Sequence, residues 1–436
     1  MKVISTVPSM YQKLIAREKP ILVSVVGAGE FGRQVVTQIS YVPNMEIVGV
    51  ADHDLETAVS ALLMSGYKED EICRAETLEE AKQAVENGKK VAVRDAMMLC
   101  ELPADALCDC TGSPPFGAKF AYEGIIRKKH LIVINIESTV SVGCALSRIA
   151  QENGVVYTTA DGDQPSLIAG LYEWAKCLGM EVDVAGKWTT IKTNVESDLT
   201  QKRTKIGYAD GSKNQVEMCC VANITGLVPD VKGMHCPSLT FDQILSTFDL
   251  EEKGGILKKH GVVDAINCLD SENRFIVPKE LRGGVFVIAS CENRDFSSAA
   301  RTKHIVTNAD GSRVLLYRPY HFVGIETPMS IIRAVMYGEA TGAPLPTPVA
   351  DVYAVAKRDL QVGETLDGIG GATVRGEMEV CTPEKIATRI PLALAENVVL
   401  KKPVREGEDL TFDMIEEPND SFIWKLYKYQ IGECTL

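Results

Sequence analysis

The chain has 436 residues, a length that predicts two or three domains. Its 59 acidic residues outnumber 46 Lys and Arg, and the formal net charge of −13 argues against a nucleic-acid-binding protein. The apolar runs fall short of the roughly 20 residues that cross a membrane. The N-terminus shows no secretory leader, and none of the 13 cysteines is spaced as C-x-x-C. We therefore expect a folded cytoplasmic protein that binds neither nucleic acid nor membranes.

A glycine-rich motif lies between two predicted elements near the N-terminus. The apolar run Ile21–Val26 is typical of a strand buried on both faces, and it leads into Gly27-Ala28-Gly29-Glu30-Phe31-Gly32. A helix is predicted over Phe31–Ser40, and the next strand, Glu46–Ala51, ends in Asp52. This context is that of a dinucleotide-binding fingerprint. The alternative is a strand-to-helix turn without a ligand.

The spacing of the motif assigns a role to each glycine. Gly27 permits the tight turn, Gly29 lets a pyrophosphate approach the backbone, and Gly32 lets the helix pack close to the strand. The helix N-terminus, with Glu30 and Phe31 in its first turn, faces the phosphate charge. The motif therefore predicts a nicotinamide dinucleotide as the cofactor.

Four further residues are predicted at the cofactor. Asp52 is expected to accept a hydrogen bond from a ribose 2′-hydroxyl, which favours NAD(H). Its charge would repel the 2′-phosphate of NADP(H), but His53 and distant cations can offset that repulsion. The sequence therefore leaves both NAD(H) and NADP(H) open as the cofactor. Thr111 and Gly112 follow the predicted strand Ala106–Cys110, at an edge of the sheet where ligands bind. An ordinary turn is an equally good interpretation of Thr111. Strands and helices alternate to about residue 165, which predicts a doubly wound parallel sheet over residues 1–165.

The middle of the chain, residues 166–342, is predicted to form a second α/β domain. The stretch Lys187–Lys213 is locally basic, which fits either an anion-binding pocket or a solvated loop. A helix over Lys213–Thr225 is predicted to end at Gly226. His235 is either an acid–base residue or a structural histidine. Strands are predicted over Arg274–Val277, Gly284–Cys291 and Arg313–Tyr317, with a helix over Pro328–Tyr337 that packs back onto the core.

The last segment differs in composition from the rest. A proline-rich linker, Ala343–Pro348, precedes a stretch with short strands and many glycine turns. This pattern predicts a small β-rich domain over residues 343–436.

Five segments carry a resemblance to a known family. Val25–Val36, Ala160–Gly179, Asp210–Pro237 and Tyr317–Gly338 are similar to the deoxyxylulose-phosphate-reductoisomerase-like family, a branch of the homoserine-dehydrogenase-like oxidoreductases. Ala356–Gly371 resembles the SAF module, a β-clip domain that ends such proteins. The third segment is the most specific, because the first is shared by many Rossmann proteins.

The resemblance implies a Rossmann domain, a catalytic and dimerisation domain, and a SAF-like tail in a homodimer. It also implies an enzyme that isomerises and reduces deoxyxylulose 5-phosphate with NADPH and a divalent metal, Mg²⁺ or Mn²⁺. The active-site positions that carry over are Lys187, Asp210, Lys213, Glu217, Asn223 and His235. We expect the two lysines to polarise a carbonyl or hold an anionic substrate, and the two acids to hold a cation or relay a proton. Lys202 and Arg203 are candidates for the substrate phosphate.

The chain departs from this family in one segment. The family reads Gly-Lys-Gly-Lys-Asn-Asn-Pro where this chain reads Gly186-Lys187-Trp188, so the second lysine is lost unless Lys192 replaces it. The substrate is therefore open. Homoserine dehydrogenases carry Asn-Lys where this chain has Asn135-Ile136-Glu137, which argues against aspartate semialdehyde chemistry. The alternatives are the reduction of another small carbonyl compound and a dinucleotide-binding protein without turnover.

Overall fold

The computed structural model describes residues 9–192, 207 and 210–436. The chain divides into two compact units, each built from separate stretches of sequence. The first unit contains Met1–Asn135, Leu146–Asp163 and Phe322–Ala343, and the second contains Ile136–Ala145, Gln164–His321 and Pro344–Leu436. Lys202 and Arg203, the predicted phosphate ligands, lie outside the described residues.

The first unit is built on a parallel sheet of seven strands, as the sequence predicts. The strands are β1 (Ile21–Val26), β2 (Met45–Ala51), β3 (Ile72–Arg74), β4 (Lys90–Val93), β5 (Ala106–Asp109), β6 (His130–Val133) and β7 (Tyr157–Thr159). Their order is β3-β4-β2-β1-β5-β6-β7, with parallel pairing throughout. The side chains of Ile21, Val23 and Val25 are fully buried in the core, as expected of a central strand.

Helices connect these strands. They are α1 (Ser9–Ile15), α2 (Glu30–Ile39), α3 (Leu55–Met64), α4 (Leu78–Glu86), α5 (Met97–Glu101), α6 (Pro114–Ile126) and α7 (Ile136–Asn153). The first ten residues of α7 belong to the second unit and the remainder to the first. No helix among the described residues is long and apolar enough to span a membrane.

The second unit contains a mixed sheet of six strands. They are β8 (Glu181–Thr189), β9 (Val228–Pro229), β10 (Val262–Asn267), β11 (Val285–Ser290), β12 (Val306–Thr307) and β13 (Arg313–Arg318), in the order β12-β13-β11-β8-β10-β9. Strands β8, β9 and β10 are parallel, whereas β11 is antiparallel to β8. The helices of this part are α8 (Gln164–Cys177), α9 (Ser212–Thr225), α10 (Ile244–Thr247) and α11 (Phe296–Thr302). Gly226 ends α9 with a φ of 81°, as predicted.

Two elements of this sheet differ from the prediction. The predicted strand Arg274–Val277 is absent from the described sheet, where Phe275 makes only an isolated bridge to Leu269. Strand β10, which pairs with β8 in the centre of the sheet, is not among the predicted strands. Its residues Val262–Ile266 are apolar except for one buried acid, Asp264, which interrupts the strand pattern.

Helix α12 (Val323–Tyr337) returns the chain to the first unit. It packs against α2, and its side chains Val323, Ile331 and Ile332 join the core that surrounds β1. The sequence pattern places this helix within residues 166–342 and predicts that it packs back onto the core. Burial of one apolar face places the helix in the first unit, against the core that surrounds β1.

The C-terminal segment is β-rich and belongs to the second unit. Its strands are β14 (Ala350–Ala356), β15 (Thr365–Asp367), β16 (Val374–Val380), β17 (Glu396–Leu400) and β18 (Ile415–Glu416), with helices α13 (Pro383–Thr388) and α14 (Phe422–Gln430). β14 pairs antiparallel with β16, and β17 lies between β15 and β18. The segment packs against α9, and both belong to the same compact unit.

Candidate active site

The glycine loop of the first unit has the geometry that its spacing predicts. Gly27 has a φ of 82°, and a Cβ added there would lie 2.9 Å from the carbonyl oxygen of Cys110. A Cβ on Gly32 would lie 1.7 Å from the carbonyl oxygen of Gly27. Both positions therefore require glycine. At Gly27 the reasons are the tight turn and the nearby backbone that follows β5. At Gly32 the reason is the close contact between α2 and the loop.

Gly29 differs from its two neighbours in the motif. A Cβ added at Gly29 would meet no atom within 4 Å, and Gly29 is the N-cap of α2 with no side-chain capping bond. Glu30 and Phe31 follow in the first turn, and both are exposed. The space beside Gly29 and the helix N-terminus fit a dinucleotide pyrophosphate, so the residues of this loop can hold the predicted cofactor.

Asp52, after β2, is tied to the same loop. Its Oδ2 accepts a hydrogen bond from the Ala28 N–H at 2.8 Å, and its Oδ1 accepts one from the Asp54 N–H at 3.0 Å. His53 Nδ1 lies 2.9 Å from Asp52 Oδ1, and the His53 side chain is 98% exposed. The carboxylate therefore supports the glycine loop, a role that the fingerprint alone does not reveal.

The loop after β5 lies next to the glycine loop. A Cβ on Gly27 would be 3.1 Å from the Thr111 nitrogen, and a Cβ on Gly112 would meet no atom within 4 Å. Thr111 Oγ1 donates to Asp109 Oδ1 at 2.7 Å and accepts a hydrogen bond from Asn135 Nδ2 at 3.0 Å. Asp109 and Asn135 are buried, so a polar network fixes the shape of this loop. The structure thus brings together the cofactor residues predicted from three strand ends.

In the second unit, Lys187 on β8 forms an ion pair with Glu217 on α9. The two side chains are 3% and 4% exposed. Lys187 stands between Ala265 of β10 and Val285 of β11, in the centre of the sheet. Two of the predicted active-site residues are therefore in direct contact, and their charges compensate each other in a buried position.

Lys213 forms a second, partly buried ion pair with Glu137, in the first turn of α7. Lys213 and Glu217 are four residues apart on α9 and therefore lie on one face of the helix. The two lysines and two glutamates form one charged group on this side of α9. The role of Glu137 was missed, because the sequence relates it only to the position where homoserine dehydrogenases carry Lys.

Asp210 precedes α9 and is bound by the C-terminal segment. Its Oδ1 accepts a hydrogen bond from the Ser212 N–H at 2.9 Å, and its Oδ2 lies 2.5 Å from Lys357 Nζ. Lys357 also donates to the carbonyl oxygen of Gly371 at 2.6 Å. Local sequence patterns do not reveal the role of Lys357, because it lies about 150 residues away from its partner.

Asn223 occupies a structural position in α9. Its Nδ2 donates to the carbonyl oxygen of Ala350 at 3.0 Å, while its Oδ1 accepts hydrogen bonds from the Val349 and Ala350 N–H groups at 2.9 and 3.2 Å. The residue is 1% exposed. Its amide therefore holds the start of β14.

His235 has the partner that the sequence could not show. Its Nδ1 lies 2.7 Å from Asp264 Oδ2, and its Nε2 lies 3.5 Å from Asp230 Oδ2. The hydrogen bond to Asp264 raises the pKa of His235, against the effect of burial. Asp264, fully buried on β10, was missed together with its strand.

Among the residues that the structure describes, no donor set matches the predicted divalent metal. Across residues 9–192, 207 and 210–436, no three His, Cys, Asp or Glu side chains are grouped to hold a metal ion. Asp210 is paired with Lys357, and Glu217 with Lys187, so each of the two predicted ligands has an ammonium group as its partner. In this arrangement these carboxylates do not form a metal site.

Comparison with protein families identifies two regions of the chain. Residues 162–327 match the model of the "oxidoreductase DRL, catalytic domain". Residues 351–416 match the SAF domain, which confirms the predicted tail. The chain thus contains a region similar to an oxidoreductase catalytic domain, followed by one similar to SAF domains. No curated protein matches the chain.

Solved structures show a more distant similarity. A probable dehydrogenase from Thermotoga maritima is 13% identical, with 73% of this chain and 90% of that chain covered and a TM-score of 0.38. The 3-ketoreductase KijD10 from Actinomadura kijaniata, in complex with NADP and TDP-benzene, is 12% identical, with 74% and 91% covered and a TM-score of 0.38. GenD2 from gentamicin A biosynthesis, in complex with NAD, is 12% identical, with 74% and 88% covered and a TM-score of 0.39. Similarity at this level assigns neither a substrate nor a cofactor to this chain.

Proposed function

We propose that the protein is an NAD(P)-dependent oxidoreductase acting on a small anionic carbonyl compound, and more specifically a reductoisomerase of a phosphorylated keto-sugar similar to deoxyxylulose 5-phosphate. The observation that carries the proposal is the glycine loop, in which Gly27 and Gly32 have no room for a side chain while Gly29 faces open space. The match of residues 162–327 to an oxidoreductase catalytic domain supports it.

The first unit supplies the cofactor site in this proposal. The backbone around Gly29 and the N-terminus of α2 bind the pyrophosphate, and the loop with Thr111 and Gly112 borders the same space. Asp52 keeps the loop in place and lies at the strand end where a ribose is bound in such sheets. A bound nicotinamide dinucleotide supplies or accepts the hydride.

The second unit supplies the groups that act on the substrate. The Lys187 ammonium can donate a hydrogen bond to a carbonyl oxygen and stabilise the negative charge that develops there during reduction. Glu217 fixes the direction of this ammonium and keeps it charged in a buried position. Lys213, oriented by Glu137, offers a second positive charge for an anionic group. The proposal includes a homodimer in the cytoplasm, with no nucleic acid or membrane as a partner.

Gly29→Val tests the cofactor site. The new side chain has room in the protein, so the variant is expected to fold normally, but its methyl groups occupy the space required by a pyrophosphate. We expect the affinity for NADH and NADPH, measured by nicotinamide fluorescence, to fall by at least tenfold. Gly170→Val is the matched control, because Gly170 is exposed on α8 and also has no atom within 4 Å of an added Cβ. Unchanged binding in Gly29→Val, or equal losses in both variants, would contradict the proposal.

A turnover assay tests the substrate class. The purified protein is incubated with NADH or NADPH and a panel of phosphorylated keto-sugars, and the absorbance of the reduced nicotinamide is followed. We expect oxidation of the cofactor with at least one phosphorylated substrate and weaker activity with its unphosphorylated form. Activity that is equal with both forms would refute the anionic substrate class while leaving the oxidoreductase intact.

A further inference from the structure

The C-terminal segment contains a cavity that is lined by none of the residues assigned to the cofactor or the substrate. The cavity has a volume of about 200 Å³ and lies beside helix α14. Phe412, Trp424 and Tyr427 supply three aromatic rings to its lining. An engineered apolar cavity of about 150 Å³ in another protein holds benzene, so this cavity has room for a small organic molecule.

The three aromatic side chains form one cluster. Trp424 and Tyr427 are three residues apart on α14 and therefore lie on one face of the helix. The ring centroid of Phe412 lies 5.8 Å from that of Trp424, at an interplanar angle of 70°, and 6.4 Å from that of Tyr427, at 43°. Trp424 and Tyr427 are buried, whereas Phe412 is partly exposed. The rings thus pack against one another, and this aromatic part of the lining exists before a ligand binds.

The charged residues make the lining acidic. Glu417, Lys428 and Glu433 border the cavity, so the lining contains two carboxylates and one ammonium group. Lys428 forms an ion pair with Glu417, in which the two charges compensate each other. Glu433 then adds one negative charge. Aromatic rings attract cations through the negative potential of their faces, so the rings and the carboxylate together favour a positively charged occupant.

The lining fits an alkylated ammonium group better than a metal ion or a primary amine. Among the described residues, no three His, Cys, Asp or Glu side chains are grouped to hold a metal ion. A primary ammonium group carries three hydrogen-bond donors, and it loses bonds to water when it enters a site bordered by rings. A quaternary ammonium group has no donors to satisfy, and its methyl groups gain contact with the rings.

We propose that this cavity binds a small, free quaternary ammonium compound, with the three aromatic rings as its contacts and Glu433 as its counter-charge. The site goes beyond the proposed oxidoreductase function and does not depend on it, because no lining residue belongs to the cofactor or substrate groups. Binding at this site can therefore be measured without turnover.

Choline and its neutral isostere, 3,3-dimethylbutan-1-ol, test the proposal. The two molecules have the same shape and the same hydroxyl group, but choline has a positively charged nitrogen where the alcohol has a carbon. We expect a ligand-observed NMR titration of the full chain to show saturable binding of choline, with an affinity at least tenfold higher than that for the alcohol. No saturable binding of choline at millimolar concentrations, or equal affinity for both compounds, would overturn the proposal.

Two substitutions locate the site. Glu433→Gln removes the counter-charge, and Phe412→Leu removes a ring while keeping an apolar side chain. We expect each to lower the affinity for choline at least fivefold, and Glu433→Gln to leave the affinity for the alcohol within twofold. Glu406→Gln is the matched control, because Glu406 is an exposed acid of the same segment that does not line the cavity, and it should bind choline as the wild type does.

Glu433 is exposed, so Glu433→Gln tests the site even where Phe412→Leu fails to fold. An unchanged affinity for choline in either folded variant, or an equal loss in Glu406→Gln, would overturn the assignment of the site to this cavity.

Sedimentation with vesicles distinguishes a free ligand from a lipid headgroup, because phosphatidylcholine carries the same trimethylammonium group. We expect the protein to stay in the supernatant when phosphatidylcholine vesicles are sedimented. Cosedimentation that free choline competes away would assign the cavity to a lipid headgroup and overturn the proposal of a free ligand.

Discussion

Lys187 and Glu217 form an ion pair whose side chains are 3% and 4% exposed. Removing two charges from water is costly, and their mutual attraction compensates this cost only while both partners are present. The same argument applies to Arg313, whose Nε lies 2.6 Å from Asp183 Oδ2 in a position equally buried. At the scale of single residues, the charges of the second unit are therefore strongly coupled.

Glu217→Gln should destabilise the protein strongly. The substitution leaves the Lys187 ammonium buried without its carboxylate, and the loss of one partner of a buried pair costs about 3–5 kcal/mol. Urea unfolding measures this loss. Glu181→Gln is the control, because Glu181 pairs with Lys176 at the surface, where an ion pair contributes at most about 1 kcal/mol. Equal losses of unfolding free energy in the two variants would show that the Lys187–Glu217 pair contributes no more to stability than a surface ion pair.

At the scale of elements, helix α9 connects the oxidoreductase region with the SAF region. Ser212 Oγ and Gln215 Oε1 accept hydrogen bonds from the N–H groups of Gly376 and Met378, on β16. Helix α9 also contains Lys213, Glu217 and Asn223, and its residues from Asn214 to Asn223 are all buried. A helix that is buried around its whole circumference needs partners on every side, and the SAF region provides one of them.

A buried acid links α7 with β14 and makes stability depend on pH. Burial raises the pKa of Asp351 to about 7, although Ser141 Oγ and the Val352 N–H are bonded to its Oδ1. Because the folded pKa lies above the unfolded value of 3.8, the stability contributed by the neutral acid is present at low pH. It is lost as pH rises from about 4 towards 7.

Asp351→Asn should remove this pH dependence. The difference in unfolding free energy, variant minus wild type, is expected to rise by roughly 2–3 kcal/mol between pH 5 and pH 8. Urea unfolding at the two pH values measures it, with the exposed residue Asp420, changed to Asn, as the control. A difference that stays constant with pH would mean that Asp351 is ionised in the folded protein throughout this range.

At the scale of the whole molecule, local patterns predicted most of the first unit and fewer features of the second. The strand, glycine and helix signals around Gly27 lie within about thirty residues, so the sequence contains nearly all that the loop geometry requires. Pairing between distant residues is different. The contact between Asp264 and His235 depends on the order of strands in the sheet. The contact between Lys357 and Asp210 depends on how the SAF region packs. Hydrophobic periodicity along the chain predicts neither of these arrangements.

The net charge of −13 describes the whole chain and does not describe the surroundings of the predicted active-site lysines. The two active-site lysines predicted to attract an anion are not an isolated basic patch, because Lys187 and Lys213 each have a carboxylate partner. A substrate anion would therefore meet directed ammonium groups in a nearly neutral cluster. Selectivity then depends on geometry more than on net attraction.

Transfer of a deuterium label tests the central claim most directly. The protein is incubated with a phosphorylated keto-sugar and a reduced nicotinamide dinucleotide deuterated at C4, with each of the two C4 faces labelled in turn, and the product is analysed by mass spectrometry. We predict that deuterium appears in the product from one face only, since a fixed dinucleotide presents one face to the substrate. An unlabelled product, or no product with any member of the panel from either NADH or NADPH, would contradict the account.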